Sequence, residues 1–180
     1  EMYDQIEREL KILITKEIYE KMRNSYEFSD AWAQTNTYYD TKDGQIKKRH
    51  GALRIRKIGN KHIFTLKIRK DAITHIELEK EINVDSIQAI TDSEILAWLK
   101  EYEIPKEVEA IVSFTTIRQT YDLENGQLCL DQTEYENHID YECEYEYTKD
   151  HDGIKVFNEI LKPYGMTYTK NCPSKIARAL

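Results

Sequence analysis

The sequence predicts an α+β fold built on one antiparallel sheet of about eight strands. Three observations carry this. Five segments alternate apolar and charged side chains with a period of two, helical periodicity is confined to short stretches, and turn residues separate neighbouring strands. At 180 residues the chain suits one domain with a sizeable core. Its 33% charged residues and 13 tyrosines belong to a globular chain rather than a disordered one.

The first strand is Ile6–Ile14: Glu7, Glu9 and Lys11 share one face, and Ile6, Arg8, Leu10, Ile12 and Ile14 the other. Thr15 caps a helix to about Phe28, with Ile18 and Met22 four apart on one face. Strands follow at Gln34–Asp40 and Ala52–Lys57. Between them, in Thr41–Gly51, Asp43-Gly44 reads as a turn and Lys47-Lys48-Arg49-His50 as an exposed basic run. His62–Arg69 and His75–Val84 form a pair joined by Lys70-Asp71-Ala72. Asp85 or Ser86 then starts a short helix, and Thr91-Asp92-Ser93-Glu94 is a capping box ahead of Ile95, Leu96 and Leu99, in a region that Pro105 closes. The last strands are Ala110–Leu123, Gln127–Glu134 and His138–Tyr147, with Glu124-Asn125-Gly126 as a hairpin turn. Ile154, Phe157, Ile160 and Leu161 mark a helix ending near Pro163-Tyr164-Gly165. Pro173–Leu180 is a short terminal helix begun by proline.

Composition excludes several function classes. A net charge of −7 argues against a general nucleic-acid surface, so any anion site must be local. No apolar run approaches a membrane span. Cys129, Cys143 and Cys172 lack C-x-x-C spacing, which argues against a zinc site or a disulfide framework and for a reduced, cytoplasmic protein. The five histidines fall at turns and strand ends, where surface positions are commoner than ligand positions.

The charged faces point to the chemistry. Arg54 and Arg56 share a face, as do Lys67 and Arg69; Glu77, Glu79 and Glu81 align on one strand, and Asp140, Glu142, Glu144 and Glu146 on another. Arg118 and Asp131 add one charge each. Alternating strands usually leave one face wet, with charges cross-paired for modest gain. Here the charges are segregated by strand, and nearly every strand carries them. If the sheet closes with these faces inward, the apolar faces, including Leu10, Ile55, Leu66, Leu78 and Cys143, point outward under helices. That inverts a usual barrel, whose interior is apolar. Buried charges must pair, bind ions or line water. A polyphosphate with its divalent metals needs both kinds: carboxylates for hard cations, Arg and Lys for phosphate oxygens.

These residues also carry a resemblance. Glu7-x-Glu9-x-Lys11 resembles the ExExK signature of the CYTH family, the triphosphate tunnel metalloenzymes. Arg54 and Arg56, Lys67, the Glu77/Glu79/Glu81 strand, Arg118, Asp131, Glu142-x-Glu144 and Lys175 follow in the family's order. The similarity covers residues 1–180 as one domain and is greatest toward small members from Gram-positive bacteria. One departure is visible: many members have glycine before the late ExE strand, where this chain has Tyr135-Glu136-Asn137-His138.

The resemblance implies an eight-stranded antiparallel β-barrel tunnel with a charged interior. It implies metal-dependent hydrolysis of inorganic triphosphate, a nucleoside triphosphate or thiamine triphosphate. By position, Glu7, Glu9, Glu142 and Glu144 would hold Mg²⁺ or Mn²⁺. Lys11, Arg54, Arg56, Lys67, Arg118 and Lys175 would hold phosphates, while Glu79 or Glu81 would orient a basic residue or the attacking water. Two alternatives share the same grip: an adenylyl cyclase and a non-catalytic polyphosphate-binding module. No adenine pocket is evident for the first, and a pure anion binder needs fewer carboxylates than this chain carries.

Overall fold

A computed structural model describes residues 5–180, so the first four residues of the expected domain lie outside it. The eight strands are β1 (Ile6–Ile14), β2 (Trp32–Asp40), β3 (Gly51–Ile58), β4 (Lys61–Arg69), β5 (Thr74–Ile82), β6 (Glu109–Asp122), β7 (Gly126–Glu134) and β8 (Ile139–Tyr147). They close into a barrel in the order β1-β5-β4-β3-β2-β6-β7-β8. Every neighbour pair is antiparallel, and β1 closes the ring by pairing Glu9–Ile14 with Glu146–Tyr141 of β8. The helices are α1 (Lys16–Ser25), α2 (Gln45–Lys48), α3 (Ser93–Glu101), α4 (Gly153–Leu161) and α5 (Lys175–Ala179). Among the described residues no helix is long and apolar enough to cross a membrane.

The barrel is inverted, as the alternation requires. Leu53, Ile55, Phe64, Leu66 and Leu78 face out from β3, β4 and β5 and are buried under Ile87, Ile90, Ile95 and Leu99. Leu10, Leu128, Leu130, Cys143 and Tyr145 face out from β1, β7 and β8 under Tyr19 and Met22 of α1 and Phe157 and Leu161 of α4. Each such Leu, Ile, Met or Phe side chain contributes about 1.5–3 kcal/mol on burial. The two outer cores therefore hold the sheet around a polar lumen. A third, smaller cluster lies on the inner side: Tyr38, Phe114 and Tyr135 pack with Ile176 and Ala179 of α5.

Apart from shifts of a residue or two at strand ends, local details depart from the sequence reading in five places. The helix from Thr15 stops at Ser25 rather than Phe28, because Tyr26 and Phe28 leave it to pack on Tyr121, with ring centroids at 5.1 and 6.1 Å. The segment after Asp85 makes turns, not a helix, and these suffice to bury Ile87 and Ile90. The cap of α3 is Asp92, which accepts from the Ile95 backbone N–H at 3.1 Å. Glu94 pairs with Lys80 at 3.0 Å instead of completing a capping box. The basic loop contains α2, whose first amides donate to the buried Asp40 carboxylate from Ile46 (2.9 Å) and Lys47 (3.1 Å). The last helix begins at Lys175 with Ser174 as its cap, two residues beyond Pro173. Gly126 stands where the sequence placed a turn, and the reason is tertiary: a Cβ there would lie 2.3 Å from the Tyr145 ring.

Candidate functional site

The acidic side of the lumen comes from β7 and β8. Register places Asp131 beside Glu142 and opposite Arg118 on β6, so all three side chains point inward. Asp131 and Glu142 are 0% exposed and Glu144 4%. Tyr135 N–H donates to the His138 carbonyl at 2.8 Å, so the hairpin that lacks the family's glycine still delivers both glutamates to the lumen. Arg118 grips Asp131 with two bonds of 2.8 and 2.7 Å and reaches Glu144 at 3.3 Å. Lys175 Nζ lies 2.8 Å from each of Asp131, Glu142 and Glu144. Arg178 completes the network on Asp140 (2.9 Å) and Glu142 (3.1 Å). Burial alone would raise the Glu144 pKa, but Lys175, Arg118 and Lys11 outweigh it and hold the carboxyl well below its ordinary value. For Glu142 burial wins, and its pKa is raised despite Lys175.

A second charged group spans β1, β4 and β5. Lys67 Nζ is 2.7 Å from Glu7, 3.7 Å from Glu9 and 3.6 Å from Glu77, and Lys11 pairs with Glu9 at 3.1 Å. Lys11 sits between the two groups: burial opposes its charge, yet Glu9, Glu144 and Glu142 keep its pKa raised. His75, opposite Glu7 in the ladder, is half-buried rather than superficial. Its pKa is lowered by burial and by Lys67. Glu146 faces Glu9 across the ladder. Burial, then Glu7, Glu9 and Glu77, push its pKa up to about 8.

The basic side differs. Arg54 is 7% exposed; it reaches Tyr38 Oη at 3.4 Å and Glu79 only at 3.8 Å, and its Nε has no hydrogen-bond partner. Among the described residues Arg56 has no carboxylate within ion-pair distance; its Nε donates to Asn36 Oδ1 at 2.7 Å. Burial, then the neighbouring Arg54 and Arg118, push the Arg56 pKa down to about 10. In the ring order β3 stands four places from β8, so this basic wall faces the acidic one across the lumen.

The predicted site residues thus divide. Lys11, Lys67, Arg118 and Lys175 are engaged by carboxylates, whereas Arg54 and Arg56 are not fully neutralised. Glu7, Glu9, Glu142 and Glu144 fall into two clusters rather than one: Glu7, Glu9 and His75, and Asp131, Glu142 and Glu144. In each cluster the donor atoms lie within 4.8 Å of one another. The all-oxygen triad suits Mg²⁺ or Mn²⁺, and Glu142 Oε2 is buried without a hydrogen-bond partner. Imidazole in the other cluster is better matched to Mn²⁺ than to Mg²⁺. Glu79 accepts from Thr65 at 3.0 Å beside Arg54. Glu81 is exposed at the end of β5.

A scan for charges misses part of the lining. Gln34, Asn36 and Tyr38 share the inner face of β2, and Thr116 and Thr133 meet at 3.0 Å across β6 and β7. The period-2 pattern that finds Arg54 would find these too, but neutral side chains raise no flag. His75 had a signal in its alternation with Glu77.

Comparison with known proteins agrees with this geometry. The CYTH domain description matches residues 5–179. The Bacillus subtilis (strain 168) protein YjbK, provisionally named a triphosphatase, is 29% identical over 178 residues, covering 94% of this chain and 93% of its own. A Bacillus halodurans crystal structure (bh2851), provisionally described as an adenylate cyclase, superposes with a TM-score of 0.85 at 30% identity, covering 97% of each chain. The Hippeastrum protein HpAC1, a candidate adenylyl cyclase reported with a dominant triphosphatase activity, shares the fold. Its TM-score is 0.75 at 23% identity, over 96% of this chain and 93% of that one. With its inverted barrel, its paired charged walls and a family match over nearly its whole length, the chain belongs to the CYTH domain family.

Proposed function

We propose that this single domain hydrolyses a triphosphate inside its lumen with the help of Mg²⁺ or Mn²⁺. The observation that carries the reading is the incompletely neutralised Arg54–Arg56 wall facing carboxylate clusters across the barrel. A partly buried guanidinium crowded by other cations, as Arg56 is, favours an anion, and a planar fork fits phosphate oxygens. In the proposal Arg54, Arg56 and Arg118 grip the phosphate chain, with Lys11, Lys67 and Lys175 sharing themselves between phosphate and carboxylate. Glu79 is a positioning residue acting through Arg54, and Glu81 would act only from the rim.

The triad with Asp131, and Glu7, Glu9 and His75, would hold the cation. Bound metal supplies charge neutralisation at the phosphoryl oxygens and a more acidic water. The chain's own share is to fix the phosphates in line, to exclude bulk water and to balance the leaving group's charge with guanidinium groups. YjbK's provisional name supports hydrolysis. The description of the B. halodurans protein supports cyclisation as the second reading.

One assay separates the outcomes. The protein is incubated with tripolyphosphate, nucleoside triphosphates and thiamine triphosphate, each with Mg²⁺, Mn²⁺ or chelator, and phosphate and cyclic nucleotide are measured. Metal-dependent phosphate release is the expected result. Cyclic nucleotide with pyrophosphate would make it a cyclase, and tight binding with neither product would make it a binding module.

A further inference from the structure

Lys175 fills the place a divalent cation would take. Its ammonium is 2.8 Å from each of three carboxylates whose donor atoms lie within 4.8 Å of one another. Glu142, in that triad, is fully buried and keeps one oxygen without a hydrogen-bond partner. A hard cation binds the same oxygens at about 2.0–2.6 Å. The ammonium and the metal would then nearly overlap, so they cannot occupy the triad together.

The anchoring of α5 makes displacement feasible. The helix has five residues, none of them buried. Its apolar hold is Ile176 and Ala179 against the Tyr38–Phe114–Tyr135 cluster. Its polar hold is Lys175 on the triad and Arg178 on Asp140 and Glu142. Glu142 is common to both cations, so a ligand that captures it loosens both. The exchange also conserves charge: two monovalent side-chain cations leave and one divalent ion enters. A monovalent metal offers no such balance.

We propose that α5 is a cation-displaced plug. A divalent cation entering the Asp131–Glu142–Glu144 triad expels the Lys175 ammonium, undocks α5 and frees Lys175 and Arg178 to meet an incoming polyanion. The inference rests on the metal-dependent reading above and adds an order of events: cation first, then helix release, then anion. By reciprocity the cation and the docked helix weaken each other by the same factor, so whatever weakens docking of α5 tightens cation binding, by at most that factor.

The test uses the full chain and Mn²⁺ alone, with calorimetry for binding and hydrogen exchange for α5, at fixed ionic strength. At Mn²⁺ saturation the amides of Ala177 and Arg178, both bonded to Ser174, should exchange at least about ten-fold faster while the barrel amides do not. Lys175→Met, which keeps an apolar stem and removes the competing charge, should bind Mn²⁺ about ten-fold more tightly. If that variant does not fold, the exchange experiment on the natural sequence decides alone. Mn²⁺ binding with α5 protection unchanged or increased overturns this inference and leaves the metal-dependent reading standing. An equal loss of protection in KCl at matched ionic strength marks simple screening and also overturns it. No Mn²⁺ binding at all overturns both readings.

Discussion

The two walls of the lumen treat charge in opposite ways. On β7 and β8 each buried carboxylate has a cation from the chain itself: Asp131 has Arg118 and Lys175, Glu142 has Lys175 and Arg178, and Glu144 has all but the last. On β3, Arg54 holds one distant glutamate and Arg56 holds only a neutral asparagine. Arg54 is buried almost as deeply as the acids and Arg56 is half-buried, so pairing, more than desolvation, distinguishes the walls. The acidic wall is largely paired within the fold, its carboxylates sharing Arg118, Lys175 and Arg178. At Arg56 burial and the neighbouring Arg54 and Arg118 oppose the charge, and an arriving anion would relieve it, whereas Tyr38, Glu77 and Glu79 support the charge on Arg54. Function is therefore expected to begin where the internal pairing is incomplete.

The largest expected effect is on the paired wall. Glu144→Ala removes a carboxylate proposed to hold the metal and leaves Arg118 and Lys175 with fewer partners. Turnover should fall by at least about a hundred-fold, the scale of several kcal/mol of lost charge stabilisation. Stability should fall by about 1.5–3 kcal/mol, because Arg118 and Lys175 each lose a charge-assisted contact while keeping Asp131. Phosphate release and urea unfolding measure the two. Full activity would remove the triad from the site.

Next comes a direct contrast between an unpaired and a paired cation of the lumen. Arg56→Met should weaken tripolyphosphate binding by about thirty-fold, or about 2 kcal/mol, for loss of a desolvated charge contact. Its Tm without ligand should not fall, since Arg56 has no carboxylate to lose. Lys67→Met should lower Tm, because Glu7, Glu9 and Glu77 would then repel one another without a counter-ion. Calorimetry and thermal scans on the pair decide it. Equal Tm losses would erase the distinction between paired and unpaired cations.

A smaller effect follows pH. Glu146 ionises at about 8 in the fold against an ordinary 4.5. Between those values the unfolded chain has released a proton that the folded chain still binds, so stability declines as pH rises through the window and levels off above it. Glu146→Gln should flatten that decline. His75, whose lowered pKa acts in the opposite sense, is common to both proteins, so the difference between their Tm profiles isolates Glu146. Parallel profiles would rule the clustering out. The smallest contrast lies on β5: Glu79→Gln should reduce kcat/KM several-fold through Arg54, and Glu81→Gln by less than about two-fold. A larger loss at Glu81 would move the chemistry toward the rim.

Which residues face inward is legible in the sequence alone. Period-2 alternation assigned Glu7, Glu9, Arg54, Arg56, Lys67, Glu142 and Glu144 to one surface and Leu10, Ile55, Leu66, Leu78 and Cys143 to the other. The barrel keeps both assignments because a strand's side chains alternate whatever its neighbours are. The sequence did not reach the helix ends, since Tyr26, Phe28 and Glu94 chose partners far away in the chain over local helix geometry. Nor could it reach the pairing of charges.

Alternation fixes the face a residue belongs to, but the ring order and register decide which charges meet across the lumen. That is why the four predicted metal-binding glutamates separate into two clusters, why His75 joins one of them, and why Asp131 joins the other. The terminal helix shows the same limit most clearly. Its sequence displays two basic residues on a short amphipathic stretch, and only the closed barrel places Lys175 among three buried carboxylates contributed by two strands. Local periodicity is written along the chain; electrostatic neutrality is a property of the space the chain encloses.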